Sequence, residues 1–168
     1  MKKEKIFKIF GYLIVFLTIS IVISFFRGGG KPNLEILGKL SENSILQNDN
    51  SLKQVKVWYF WATWCGVCKL NQPFIKSNYS FFKDKIYFLS IEEGESKENL
   101  EAYIQKNNID FPVFQGSPEI LKSFEIKGFP TTLFLDKNNQ IVFSDSGILN
   151  PVSFYLRIIW IQLSSFFR

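Results

Sequence analysis

The chain has 168 residues, with 20 lysines and arginines against 15 aspartates and glutamates, and it contains two cysteines and no histidine. Its net charge of +5 resides in residues 1–32, where six basic residues face one acidic residue, so the rest of the chain is balanced. A folded part without excess positive charge does not favour nucleic-acid binding. Without histidine, a Ser-His-Asp triad, a Cys-x-x-Cys-His haem site and a zinc site of four nitrogen and sulfur ligands are excluded.

Residues 9–26 are uncharged and rich in Ile, Val, Leu and Phe, so they are long and apolar enough to cross a bilayer. They run into Arg27 without the small residues of a signal-peptidase site, so we expect an uncleaved anchor. Cleavage after the three glycines that follow Arg27 is the open alternative. Four lysines before the segment favour a cytoplasmic amino terminus. The predicted organisation is a cytoplasmic tail and transmembrane anchor (1–27), a linker (28–33) and one domain (34–168).

The domain alternates runs typical of strands with segments typical of helices. Residues 33–54 are polar and irregular, and a short strand or hairpin is an open alternative there. Strands are predicted at 55–61, 86–91, 111–114, 131–136 and 140–144, and helices at 66–82, 96–106, 118–124 and 152–167. A helix between the first two strands implies a right-handed crossover and parallel pairing, whereas the last two strands form an antiparallel hairpin. The predicted fold is α/β, a mixed central sheet with flanking helices.

The two cysteines, Cys65 and Cys68, lie one helical turn apart at the start of the predicted helix 66–82. Unpaired backbone N–H groups at a helix amino terminus favour a thiolate, so Cys65 is the predicted nucleophile. Cys68, on the same face and deeper, would attack the mixed disulfide that Cys65 forms with a partner. Gly66 and Val67 complete the turn. A static disulfide, two inert core thiols and a Cu(I) site made of the two thiolates are the alternatives left open.

The order strand, Trp-Cys-x-x-Cys, helix, strand, helix, x-Pro-Thr strand, hairpin and helix resembles the thioredoxin superfamily. The run Phe-Trp-Ala-Thr-Trp-Cys at 60–65, with the extra unit 92–114, resembles its membrane-anchored bacterial branch of cytochrome c maturation thioredoxins. The aromatic segment 155–160 is similar to the suppressor-of-copper-sensitivity thioredoxin-like proteins. The resemblance covers about 55–160.

This resemblance implies a cis peptide bond before Pro130, which would present the backbone of Phe129 to an extended client segment. It also implies that Trp64 flanks the nucleophile as an apolar contact surface, that Trp61 belongs to the core, and that Pro73 aims the start of its helix. The supporting positions are therefore Gly66, Val67 and Pro73, beside the client-binding residues Trp64, Phe129 and Pro130.

Two positions depart from the pattern of the superfamily. Asn71 stands where many reducing relatives carry glutamate, and Tyr59 stands where thioredoxin itself carries an acidic residue. A buried proton acceptor for Cys68 is therefore not identifiable. Glu92 and Glu93 are read either as a proton relay or as loop charges, and Lys69 either as an aid to the thiolate or as a solvated helix lysine.

The resemblance implies an enzyme that exchanges thiols and disulfides on extracytoplasmic proteins, more reducing or intermediate than strongly oxidising. It needs no cofactor beyond the redox-active disulfide Cys65–Cys68 and no metal. Its expected partners are protein thiols or disulfides and a membrane electron donor or acceptor, with the membrane held through residues 9–26. The expected location is the bacterial inner membrane, single-pass, with the domain facing the periplasm or the cell exterior.

The last helix is nearly all apolar, and its polar side chains form one narrow stripe that includes Arg157. We expect the broad apolar face to pack on the sheet. Contact of Trp160, Phe166 and Phe167 with the membrane or a partner is the alternative left open.

Overall fold

The computed structural model describes residues 55–164 together with Gly11, Tyr12, Ile14, Val15, Thr18 and Ile19. Those six residues are helical. From Val55 to Ser164, strands and helices alternate except for one hairpin of two consecutive strands. Among all of these described residues, no helix combines the length and the hydropathy needed to span a bilayer. The rest of the predicted tail, anchor and linker, and the irregular segment up to residue 54, lies outside the described residues.

The elements follow the predicted order. They are β1 (Val55–Trp61), α1 (Gly66–Phe82), β2 (Ile86–Glu92), α2 (Lys97–Lys106), β3 (Val113–Gln115), α3 (Pro118–Ser123), β4 (Thr131–Leu135), β5 (Ile141–Ser146) and α4 (Pro151–Ser164). The third strand starts later than the predicted 111–114 because Pro112 has no amide hydrogen to donate to a ladder, although its carbonyl accepts from Ser90 N at 3.1 Å.

The five strands form one sheet in the order β3-β2-β1-β4-β5. β1 pairs in parallel with β2 and antiparallel with β4, and β2 pairs in parallel with β3. β4 and β5 form the antiparallel hairpin, with a shift in register between Phe134 and Leu135. The mixed sheet predicted from the sequence is confirmed, and the parallel β1–α1–β2 unit places the start of α1 beyond the carboxyl end of β1.

β1 lies at the centre of the sheet and is buried on both faces. Alternate side chains such as Val57, Tyr59 and Trp61 face the core formed with α1, α2 and α4. Trp58 and Phe60 face the second core, where Phe124 at the end of α3 contacts both rings. This two-sided burial explains why β1 is a continuous apolar run rather than an alternating one.

α4 differs from the expectation that its broad apolar face packs on the sheet. The side that packs inward carries Phe154, Ile158 and Ile161 together with Arg157, which is only 1% exposed. The Arg157 guanidinium pairs with Asp145 on β5 and lies over the rings of Phe134 and Phe143, 5.4 and 5.2 Å from their centroids. Because Asp145 and these two rings compensate the buried charge, Arg157 can turn inward, and part of the apolar surface of α4 turns outward.

A second buried cation, Lys56, lies at the end of the sheet where β1 begins. Lys56 on β1 is fully buried, and its ammonium group donates to Asn139 Oδ1 in the β4–β5 turn. Burial lowers the pKa of Lys56, and nearby Asp136 opposes this shift. The side chain therefore ties the start of β1 to the turn of the hairpin.

Candidate active site

Cys65 is the N-cap residue of α1, with extended backbone angles of φ −74° and ψ 108°. Its amide donates to Ala62 O at 3.2 Å, and its Sγ accepts from Cys68 N at 3.1 Å. Cys65 and Cys68 form a disulfide. Cys65 is 5% exposed and Cys68 is fully buried, so a partner can reach the pair only at Cys65.

The first turn of α1 favours negative charge on Cys65. No acidic residue occupies that turn, so nothing there offsets the free N–H groups at the start of the helix. Once the disulfide opens, these groups would stabilise negative charge on the Cys65 sulfur. Gly66 and Val67 are both exposed, and a side chain at Gly66 would meet no atom within 4 Å, so packing does not demand glycine there.

Pro73 lies inside α1, eight residues after Cys65, and is exposed. Since proline has no amide hydrogen, the carbonyl of Lys69 lacks its usual intrahelical donor. Pro73 therefore weakens the hydrogen-bond ladder of α1 just after its first turns. This is the position to which the resemblance assigns the proline that aims the start of the helix.

The loop before β4 lies beside the start of α1. The Phe129–Pro130 peptide bond is cis, as the resemblance implies. Hydrogen bonds fix the loop on both sides of Pro130: Gly147 N donates to Pro130 O at 2.8 Å, and Thr131 Oγ1 donates to Gly128 O at 2.8 Å. The Phe129 ring meets the Trp64 ring edge-on, with centroids 6.0 Å apart, so the loop and the cysteine turn share one aromatic rim.

Trp64 and Trp61 differ in environment as expected. Trp64 is 68% exposed, and its Nε1 donates to Glu93 Oε2 at 2.5 Å. Trp61 is fully buried, and its Nε1 donates to Ser90 Oγ at 3.2 Å. Glu93 thus holds the Trp64 indole over the edge of the site, a contact that the sequence does not reveal because the two residues lie on different elements.

At the two positions that depart from the pattern of the superfamily, both side chains are neutral. Tyr59 on β1 and Asn71 on α1 are fully buried, and Tyr59 belongs to the same core cluster as Cys68. Their polar groups face each other, but in the described part of the chain neither Tyr59 Oη nor Asn71 Nδ2 has a hydrogen bond of normal geometry. Burial raises the pKa of Tyr59 well above its ordinary value, so this hydroxyl is a donor and not a base.

Asn71 has a structural partner that the sequence does not reveal. Its Oδ1 accepts from Leu149 N at 3.1 Å, which joins α1 to the segment that leads into α4. Helical spacing places Asn71 on the same face as Cys68. The hydrogen bond to Leu149 could not be predicted from the sequence, because the two residues are 78 positions apart.

The other charged candidates have local roles. Glu92 is 1% exposed, and its Oε2 accepts from Gly94 N at 2.9 Å and Glu95 N at 2.8 Å, so it closes the turn after β2. Lys69 is exposed, with its ammonium 6.0 Å from the Tyr103 ring centroid. These contacts favour the loop-charge and solvated-lysine interpretations.

Comparison with known proteins agrees with this geometry. A model of the thioredoxin-like family matches residues 53–141. Thiol-disulfide oxidoreductase ResA of Geobacillus thermodenitrificans is 30% identical over 84 residues, which cover 49% of this chain and 48% of that protein. Thioredoxin-like protein YneN of Bacillus subtilis is 24% identical over 118 residues, 68% of each chain. The chain thus spans about half the length of the ResA relatives that it matches.

Solved structures share the fold. A thiol:disulfide interchange protein of the thioredoxin family from Chlorobium tepidum superposes with a TM-score of 0.59 at 23% identity, covering 67% of this chain and 83% of that one. StoA from Bacillus subtilis gives a TM-score of 0.57 at 23% identity, covering 61% and 80%. Since the family match spans more than half of the 168 residues and includes the cysteine pair and the cis-proline loop, the chain belongs to the thioredoxin-like family.

Proposed function

We propose that this protein is a thiol–disulfide oxidoreductase that exchanges disulfides with extracytoplasmic protein clients through Cys65 and Cys68. One observation carries the proposal: the two sulfurs form a disulfide at the amino terminus of α1, with Cys65 slightly exposed and Cys68 fully buried. This asymmetry gives the two sulfurs different roles, because only Cys65 is open to a client.

In the reducing direction, the dithiol form starts the cycle. The Cys65 thiolate attacks one sulfur of a client disulfide, forms a mixed disulfide and releases one client thiolate. Cys68 then attacks Cys65 Sγ, which breaks the mixed disulfide, releases the second client thiolate and restores the Cys65–Cys68 bond. Two electrons pass to the client, and a membrane electron donor must return two electrons to the pair.

In the second step Cys68 must lose its proton, and neither Tyr59 nor Asn71 provides a carboxylate to accept it. We assign the Cys68 proton to the departing client thiolate, which is generated next to it. Clients would dock against the aromatic rim of Trp64 and Phe129, with the backbone at Phe129 available to an extended segment.

The proposed direction is reductive or intermediate. Gly66 and Val67 place no histidine between the cysteines, so no imidazolium stabilises the reduced form. Equilibration with glutathione buffers would test this direction: a potential near −270 mV, on the order of that of thioredoxin, supports it, and one near −120 mV contradicts it.

The proposed location is the bacterial inner membrane, with residues 9–26 as a single anchor and the domain facing the periplasm or the cell exterior. The uncharged segment and the four lysines before it support this location.

The central test is reduction of insulin disulfides by the full-length chain with dithiothreitol as electron source. We expect turnover in the wild type and none in Cys65→Ser or Cys68→Ser. Cys68→Ser should trap a covalent mixed disulfide with the client, whereas Cys65→Ser should not. Val67→Ser is the matched control, since it adds a serine to the same turn and keeps both thiols. Tight Cu(I) binding without turnover in the wild type would refute the proposal in favour of the metal-binding alternative.

A further inference from the structure

The outer face of α4 is apolar and exposed. Val152, Tyr155, Trp160 and Leu163 lie on one side of the helix, and each is at least 45% exposed. The only charged residue between Pro151 and Ser164 is Arg157, which is buried against the sheet. An exposed apolar helix face without a charged residue marks a contact surface.

The direction of α4 places the carboxyl-terminal part of this face at one end of the domain. Leu149, just before α4, is held by Asn71 near the disulfide end of α1. Phe154 contacts the ring of Phe82, the last residue of α1, with centroids 5.6 Å apart. α4 therefore runs away from the disulfide, and its Trp160 and Leu163 lie toward the end that we call the distal end, defined by Val55, the turn 83–85 and the hairpin turn 136–140.

Two further features converge on the distal end. The chain enters the domain there, at Val55, from residues 1–54, which include the uncharged apolar segment 9–26. Lys83, Lys85 and Lys137 are exposed at the distal end, with Asp84 as the exposed acidic residue between the first two. A positively charged rim beside an apolar face with Trp and Tyr suits an anionic phospholipid surface.

We propose that the distal part of the outer face of α4, with Tyr155, Trp160 and Leu163, docks on the surface of the phospholipid bilayer, so that the distal end faces the lipid and the disulfide points away from it. The proposal rests on the membrane tether of the proposed function. Trp160 and Tyr155 would sit at the level of the headgroups, where amphipathic aromatic rings are favoured. A bilayer fits better than a second copy of the chain, because lysines are depleted at protein–protein interfaces.

The native tryptophans allow a direct test. The chain has four, at positions 58, 61, 64 and 160, and residues 1–54 contain none. The full-length protein is reconstituted in vesicles of phosphatidylcholine and phosphatidylglycerol, with and without brominated acyl chains, which quench tryptophan at short range. We expect brominated lipid to reduce the emission of the wild type and of Trp64→Phe, and most of this reduction to be lost in Trp160→Phe.

A negative charge on the outer face of α4 should weaken docking on lipid and so reduce the quenching of Trp160. Leu163→Glu is expected to abolish most of the quenching, whereas Gln105→Glu, which adds the same charge on exposed α2, should retain it. Equal quenching in Trp160→Phe and wild type overturns the proposal. Unquenched, blue-shifted emission that depends on protein concentration also overturns it and assigns the face to a second copy. Insulin reduction measured on the same vesicles separates the two proposals, because turnover without Trp160 quenching refutes only the docking.

Discussion

Asn71→Leu tests whether this position serves the architecture of the site rather than its proton chemistry. Asn71 is fully buried on α1, one turn beyond Cys68, and its Oδ1 accepts from Leu149 N at 3.1 Å. Leucine has a similar size and no acceptor, so the substitution leaves the Leu149 amide buried without a partner.

The magnitude follows from two opposing contributions. Loss of the acceptor strands a buried amide, which costs about 1–3 kcal/mol. The Asn71 Nδ2 has no partner within the described residues, so its removal recovers roughly 1 kcal/mol. The net loss in the free energy of unfolding is therefore about 0–2 kcal/mol, and for a domain of this size the melting temperature falls by up to about 8 °C.

The assay is urea and thermal unfolding of the oxidised protein, followed by circular dichroism. Asn78→Leu is the matched control: Asn78 is also buried on α1, and its Nδ2 likewise lacks a partner in the described part of the chain. We expect Asn78→Leu to be neutral or slightly stabilising, and Asn71→Leu to keep insulin turnover and its pH profile. Equal stability of the two variants would refute the structural argument, and a lost or pH-shifted turnover in Asn71→Leu would show that the amide takes part in the chemistry.

Three further predictions concern the core and the rim. Arg157→Met leaves the Asp145 carboxylate, 14% exposed, without its partner. We expect the free energy of unfolding, measured in urea, to fall by about 3 kcal/mol, the lower end of the range for breaking a buried ion pair. Most of it should return in the double variant with Asp145→Leu; a full loss in both would contradict this account. Burial raises the pKa of Tyr59, so its neutral form stabilises the fold below the unfolded pKa of about 10, and this contribution declines as the unfolded chain ionises. The stability of the wild type relative to Tyr59→Phe should therefore fall between about pH 9 and 11, and a constant difference would count against the burial argument. Trp64→Ala should raise the KM for insulin by about 2–10-fold, as expected for loss of one aromatic contact, while turnover of a small disulfide stays unchanged; an equal effect on both substrates would argue against a client-binding rim.

The sequence predicts the central elements of the fold well. β1 and the start of α1 lie where the apolar run and the Cys-x-x-Cys motif place them, because one signal is a continuous buried strand and the other a helix start. The resemblance also implies the cis bond before Pro130, and the structure has it. These features depend on local residue patterns, which a sequence displays directly.

Contacts between distant segments could not be predicted. The pairing of Arg157 with Asp145 depends on the register of β5 and the rotation of α4, neither of which a helical pattern fixes. For the same reason the helical pattern predicts that the broad apolar face of α4 is core, whereas part of that face is exposed. The bond between Trp64 and Glu93 likewise requires the end of β2 to lie beside the cysteine turn.

The length of α1 bears on which clients the proposed oxidoreductase could reach. α1 has 17 residues and runs from the disulfide to the distal end, so it separates them by about 25 Å. In the proposed docking, where only the distal part of α4 rests on lipid, the length of α1 sets the height of the two sulfurs above the membrane. A client disulfide held at the lipid headgroups would then be too close to the membrane to contact Cys65. A client disulfide on a loosely folded ectodomain could extend far enough from the membrane to contact it.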